Sequence, residues 1–420
     1  LPSLKITFPY EPGEHFDAVN ERCDFWDSPD TLEWFKAHGY TLYQRVWVDE
    51  FRTTVTRPPV VPDITFTEAD YPYAHYDTEF DLCPDSGAEP LRASDECGKI
   101  VFAQDSLLRH VAIKLVRADT DEYRVLQFLN QQKWDVLKEN CVIPVLEMLP
   151  IEGFWFAVMP RWGINISLPE PQYVHEVITI VHSVLTDMKF ENVLVNHVSD
   201  IENMDGRNSF RKDMRSKKLL SYAVFDFDFS TMLSADANVK ECRLPYHRSW
   251  GTFNIVDDTA SGEFDYSPFI LDVGVLGARL AESYQHLTRL IPMLAPLFDM
   301  MTHWDLDRRF TAYEALQFFE EHILSKLSEA VLYTDFTLIQ FNFCEYRECN
   351  RWKGFPPDFV ERWKAYRVAP YPWRRRLLRS LCERDYFCHF VPKTRLFFFR
   401  LFSVPHWLYR WIVPPIEDVI

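Results

Sequence analysis

The sequence predicts an α+β fold, and three observations predict it. Residues 99–103 and 109–116 are short β-branched runs split by a polar turn, the pattern of two adjacent strands. Residues 142–148 and 153–160 are a second pair of apolar runs, each short enough to be a buried strand. Beyond residue 170 the period lengthens: Val174, Val177, Ile178, Val181, Val184 and Leu185 recur at helical spacing. Thr311 and Glu314 stand at capping-box spacing, the start of a further helix.

Composition bounds the function classes. Hydrophobic residues make up 47% and aromatics 16% of 420 residues, enough for one large domain or two ordinary ones with proper cores. The formal net charge of -17 repels polyanions, so nucleic acid is not an expected partner. Only 12 glycines, under half the usual share of roughly 7%, argue against a glycine-rich phosphate loop. The nine cysteines contain no C-x-x-C pair, which reads as reduced thiols and a cytoplasmic location. No charge-free run of 18 apolar residues occurs, and a start at Leu1 without a signal pattern reads as a fragment of a soluble protein.

In chain order, residues 1–94 read as an N-terminal extension rich in Pro, Asp and aromatics, with one helix near 28–38 where Ser28-Pro29 supplies cap and first turn. Its end, 76–98, is acidic and broken by Pro84 and Pro90, hence a loop. After the first strand pair, Thr120 caps a helix over 121–131. Residues 197–218 are a polar insertion, and 330–420 form a basic aromatic tail.

Chemistry concentrates in two stretches. Asp187, Lys189 and Asn192 follow the 172–186 helix, and an apolar run leads into Asp226-Phe227-Asp228. Phosphoryl transfer needs such parts: a carboxylate to orient the attacking hydroxyl, a cation near the moving phosphoryl group, and an amide with a carboxylate to hold magnesium. These stretches resemble the catalytic loop and magnesium-binding segment of the protein kinase superfamily. Val111-Ala112-Ile113-Lys114 resembles its third strand, and Glu122 with Leu126 its following helix. The chain is similar in particular to the protein-kinase-like proteins of mushroom-forming fungi.

The resemblance implies a bilobal protein-kinase-like fold: a small β-rich N-lobe with its hinge over 95–163, a mostly helical C-lobe over 164–329, and the two extensions. It implies ATP and Mg2+ as cofactors and a protein Ser/Thr hydroxyl as acceptor. Asp187 and Lys189 are then catalytic, and Asn192 and Asp226 hold the metal. Lys114 holds phosphates with Glu122 behind it. Met159 gates the back of the nucleotide site, and Pro160, Arg161 and Trp162 are the hinge. Asp272 caps the catalytic-loop backbone, and Arg309 pairs with Glu263. The plain alternative makes Lys114 an exposed strand-end lysine and Glu122 a first-turn glutamate favoured by the helix dipole.

Departures favour a competing class, a pseudokinase that kept the fold as a binding module. No Gly-x-Gly-x-x-Gly precedes Lys99, Leu185-Thr186 stands in place of His-Arg, Asp228 in place of the mobile glycine, and no Ala-Pro-Glu closes the loop before Pro268. Only 23 residues separate Gly163 from Asp187, too few for the family's long helix, short helix and turn, which predicts a loose or refilled core there. Small-molecule phosphotransferases share Asp-x-x-x-x-Asn and the second Asp and remain a further alternative. The tail, with Arg interleaved among aromatics at 373–379 and 395–402 and tryptophans at 407 and 411, has two readings. It packs its aromatics on the body, or it lies as a basic amphipathic segment in a membrane interface.

Overall fold

The computed structural model describes residues 3–8, 19–46, 55–61, 66–78, 91–187, 192–199, 209–228, 230–234, 236–239, 241–251, 255–256, 258–337, 339 and 345–401. The fold is mixed α+β. It divides into two compact units, Leu1–Pro171 with Glu191–Met232, and Gln172–Phe190 with Leu233–Ile420.

The first unit is built on a five-stranded antiparallel sheet. Its order is Tyr40–Leu42, Ile100–Asp105, His110–Arg117, Phe154–Pro160, Glu147–Ile151. The central strand, His110–Arg117, is buried along nearly its whole length, so both faces of the sheet are covered. Val111, Ile113 and Leu115 join Phe156, Trp26, Trp34 and Phe35 in one core. Val116 joins Ala157, Met159, Leu126 and Leu129 in the other. Side chains alternate along a strand, so Lys114 falls on the second face with Val116.

Residues set apart in sequence as an N-terminal extension cover the first face. Ser28 caps the Pro29–Ala37 helix through the Thr31 amide, and Tyr40–Leu42 pairs with the Ile100–Asp105 strand. Phe35 and Trp34 lie 4.8 and 5.4 Å from the Phe156 ring. Each such aromatic buries roughly 150–250 Å², worth several kcal/mol at about 25 cal/mol per Å². The 142–148 run is a strand only from Glu147, because Pro144 has no N–H for a ladder and Val142 makes a single bridge to Val224.

The polar 197–218 insertion is partly buried. His197–Val198 pairs in parallel with His75–Asp77, and the fully buried Asp77 carboxylate accepts from Ser199 Oγ at 2.9 Å. From the Ser209–Ser216 helix, Arg211 and Arg215 turn inward and donate to the carbonyls of Ile164, Ile166 and Leu168. Backbone carbonyls turned toward the interior need donors, and these arginines supply them.

In the second unit the Val174–Asp187 helix has 14 residues, about 21 Å at 1.5 Å per residue. It ends at Asp187 itself, with no second helix before that residue. Of the two outcomes expected of so short a segment, a loose core or one refilled by other segments, the burial of Val174, Val177, Val181, Val184 and Leu185 favours the second. Thr311 and Glu314 form both bonds of the expected capping box.

The expected Arg309–Glu263 pair is corrected. Arg309 donates to both oxygens of Asp258 at 2.6 Å, and Glu263 instead accepts from the Ser261 amide at 2.9 Å within its own turn. Asp258 wins because it meets the guanidinium fork with two parallel bonds, and both partners are buried. Asp272 lies on the Pro268–Tyr284 helix with an exposed side chain.

The tail helices Trp373–Cys382 and Asp385–Leu401 pack in part on this unit. Arg395 Nη1 donates to Gly262 O at 3.0 Å, and Phe399 lies 5.6 Å from Phe264. Trp373, Leu377, Tyr386 and Phe397 are exposed. The tryptophans at 407 and 411 lie outside the described residues. Among the described residues, no helix is long and apolar enough to cross a membrane.

Gly274, on the Pro268–Tyr284 helix, packs directly beneath the Arg309 guanidinium, where an added Cβ would collide with Nη1 and Cζ. Gly274→Ala gains about 1 kcal/mol of helix propensity. It loses roughly 1–3 kcal/mol to overpacking, and more if Asp258 is left unpaired in the interior. The variant should therefore unfold at lower urea concentration than the parent; an unchanged or raised midpoint would show that Arg309 gives way freely.

Candidate functional site

Lys114 is the centre of the site and is 5% exposed. The central strand leaves its ammonium little contact with water, so its charge needs partners inside the protein. Three carboxylates supply them. Nζ lies 2.5 Å from Glu122 Oε1, 2.9 Å from Asp226 Oδ1 and 2.6 Å from Asp228 Oδ1. The two aspartates accept hydrogen bonds, whereas Glu122 Oε1 is in contact without hydrogen-bond direction. The exposed-lysine alternative is thereby excluded, and the expected Lys114–Glu122 pair is formed within a larger cluster.

Local sequence explains how each group arrives. Thr120 accepts from the Tyr123 amide and starts the Asp121–Asn130 helix, which puts Glu122 in its first turn facing the sheet. Val193–Val195 pairs with Tyr222–Val224, and the chain leaves that ladder straight into Asp226. Asp226 has φ +64, a left-handed conformation that Asp tolerates better than most residues, and its Oδ1 accepts from the Asp228 amide at 3.4 Å. This tight turn swings Asp228 back to Lys114. Asn192 Nδ2 donates to Asp226 O at 3.4 Å and its carbonyl accepts from the Phe225 amide, so Asn192 holds the segment's backbone.

A cavity of about 230 Å³ adjoins the cluster, lined by Asp95, Lys99, Lys114, Glu122, Met159 and Asp226 among others. Its rim turn is organised by Asp95, which accepts from the amides of Cys97 and Ile100. The Val19–Asp27 helix holds the same turn from behind: Arg22 donates to Cys97 O at 2.7 Å and Trp26 to Gly98 O at 2.8 Å. Lys99, the second buried lysine, stands 4.0 Å from Asp228 Oδ2.

Of the residues expected from sequence, Lys114, Glu122, Met159, Asn192 and Asp226 are brought to this region. Pro160, Arg161 and Trp162 are not among the lining residues. The Arg161 amide is taken by His110 O, its guanidinium by Tyr43 and the carbonyls of Leu91 and Arg92, and Trp162 Nε1 by Pro72 O. All three are buried in structural bonding. Asp187 closes its helix, with a side chain outside the described residues, and Lys189 lies outside them altogether. Sequence reading missed Asp228, Lys99 and Asp95 as members of the site. Only strand register carries a signal for Lys99, which precedes the residue paired with Lys114.

Electrostatics follows from counting. Four carboxylates, those of Asp95, Glu122, Asp226 and Asp228, face two lysines, so negative charge is in surplus. Burial drives Lys114 toward neutrality, but Glu122, Asp226 and Asp228 outweigh it and hold the ammonium well above its ordinary pKa. Burial also raises Asp228, and Lys114 with the Glu122 hydrogen bond overturns that, bringing it down to about 2. Burial dominates at Glu122, and with Lys114 already shared its pKa is pushed up to about 7. The raised pKa lets protonation of Glu122 relieve part of that surplus. The oxygens of Glu122, Asp226 and Asp228 lie within 4.8 Å of one another, an all-oxygen donor set suited to a hard divalent cation.

Because Glu122 titrates higher in the folded protein than in the unfolded chain, folding takes up a proton. The stability this gives is complete below about pH 4.5 and is lost as pH rises through about 7. Denaturant titrations of the metal-free protein from about pH 5 to 8 should show stability falling, with a shallower fall in Glu122→Gln, whose amide does not ionise. Coincident slopes for parent and variant would mean that Glu122 is not the proton site.

In comparisons with known proteins, no family model and no curated protein matches the chain, and its functional reading rests on the residues of this site.

Proposed function

We propose that the chain is a protein-kinase-like phosphotransferase of bilobal fold, binding ATP with Mg2+ and transferring the γ-phosphate to a protein Ser/Thr hydroxyl. One observation carries the reading: a buried strand lysine, the glutamate of the next helix and the aspartate of a later tight turn meet within a single compact unit. Such a cluster is costly to bury, and a charged ligand is a physical reason to keep it.

The donor set fits magnesium. Asp226 would hold it with Asn192, and a bound cation would take the place of the Glu122 proton in balancing the surplus charge. Magnesium when bound supplies charge neutralisation at phosphate oxygens. The polyphosphate fits less simply, since Asp228 lies 2.6 Å from the ammonium that would hold it and the cavity is smaller than the usual 300–1,000 Å³ of ligand pockets. Lys114 and Lys99 orient anionic oxygens, and Met159 closes the apolar side. The roles of Asp187 and Lys189, orienting the hydroxyl and neutralising the moving phosphoryl group, rest on the sequence motif alone.

Asp228 favours a second reading, the binding module without phosphotransfer, because a carboxylate on Lys114 opposes the phosphates. Thermal unfolding separates the two. ATP with Mg2+ should raise Tm, by about 2.7 kcal/mol of stability at a hundredfold excess over Kd, and more at pH 8 than at pH 6 because the cation displaces the Glu122 proton. Asp226→Asn should remove the magnesium-dependent part. Asp187→Ala should keep the Tm shift and abolish transfer to a Ser/Thr substrate. A Tm shift without transfer selects the binding module, and no shift at millimolar ATP with Mg2+ rejects both readings.

A further inference from the structure

The second unit holds a cavity of about 390 Å³ that the proposed reaction does not use. Seven arginines and two aspartates line it, in a chain whose net charge is -17. Both aspartates are already committed. Asp258 receives the two Arg309 bonds, and Asp299 accepts from Arg351 Nη1 at 2.5 Å, Trp352 Nε1 at 2.8 Å and the Val368 amide at 3.1 Å. Arg367, Arg375 and Arg376 take part in no ion pair among the described residues, although Glu263 lies near enough to feel Arg375.

The aromatic walls orient these arginines. The Arg375 guanidinium lies 5.4 Å over the Trp304 ring and donates once, to Trp304 O; that of Arg367 lies 5.9 Å over Trp352. A guanidinium laid on an indole is held in position while the rest of its N–H edge stays available. Arg376 is exposed at the same wall, one turn from Arg375's own support at the start of the Trp373–Cys382 helix.

We propose that this cavity binds a compact ligand carrying two or more phosphate groups. Guanidinium edges pair with phosphate in bidentate fashion, and three of them beyond the two internal pairs exceed what one monovalent anion can satisfy. The cavity has the size of a small-molecule site, and the chain's overall negative charge disfavours an extended polyanion such as nucleic acid. Two sources share this chemistry, a soluble polyphosphate and a phosphoinositide headgroup. Trp373 and Leu377, 65% and 63% exposed and one turn apart on the helix that carries Arg376, are placed to meet acyl chains in the second case.

The test uses the whole chain, with inositol hexakisphosphate and inorganic pyrophosphate followed by calorimetry, and with vesicles containing or lacking phosphatidylinositol bisphosphate followed by sedimentation. The parent should bind at least one phosphate probe, more weakly as salt rises. Arg367→Gln combined with Arg376→Gln should weaken it about tenfold or more, with an unchanged Tm in the absence of probe, since neither side chain is in an ion pair. Lys114→Met should leave this binding intact, which separates it from the nucleotide site. Binding to headgroup-bearing vesicles alone assigns a lipid, and binding to soluble probes assigns a free polyphosphate. Absence of binding to every probe, or binding that the arginine substitutions leave unchanged, overturns the proposal.

Discussion

A lysine on the middle strand of a sheet covered on both faces sets the terms for the first unit. Lys114 has neighbours on both sides in the ladder and a hydrophobic core on each face, so its charge is stable only if carboxylates come to it. Three do, from a helix start and from the turn after Tyr222–Val224, and that convergence ties the parts of the unit together. Removing any one carboxylate leaves the buried Lys114 ammonium with fewer partners.

The cover on the far face is as consequential as the cluster itself. Trp26, Trp34 and Phe35 dry the side of the sheet opposite Lys114, and Arg22 with Trp26 hold the turn from Cys97 to Gly98 that borders the cavity. The rim turn thus depends on the Asp95 carboxylate, on those side chains and on one glycine, Gly98 at φ +67, where a glycine-rich phosphate loop would have several.

In the second unit the same rule operates with the signs reversed. Arginines predominate toward the end of the chain, and the two that are most buried, Arg309 and Arg351, each claim an aspartate from an earlier segment. Those pairs hold the turn at Asp258 and the loop after residue 345 to the helical body. Arg367 and Arg375 are left at a cavity wall, each over an indole.

By itself the sequence determined the local matters. Strand and helix periods, the Ser28, Thr120 and Thr311 caps, and the approach of Glu122 to Lys114 all depend on neighbours within a few residues or on one strand–helix step. Tertiary structure decided which distant charges meet. That Arg309 takes Asp258 and not Glu263, that Asp228 turns back onto Lys114, and that Arg161 and Trp162 spend their polar groups on the loops at 43, 72 and 91–92 could not be read from spacing. A buried charge takes whichever partner the fold brings within hydrogen-bond reach in the right direction, and sequence separation carries almost no information about that. The N-terminal segment shows the same limit: the helix near 28–38 was legible from its cap, but the Val19–Asp27 helix before it and the sheet face they cover were not.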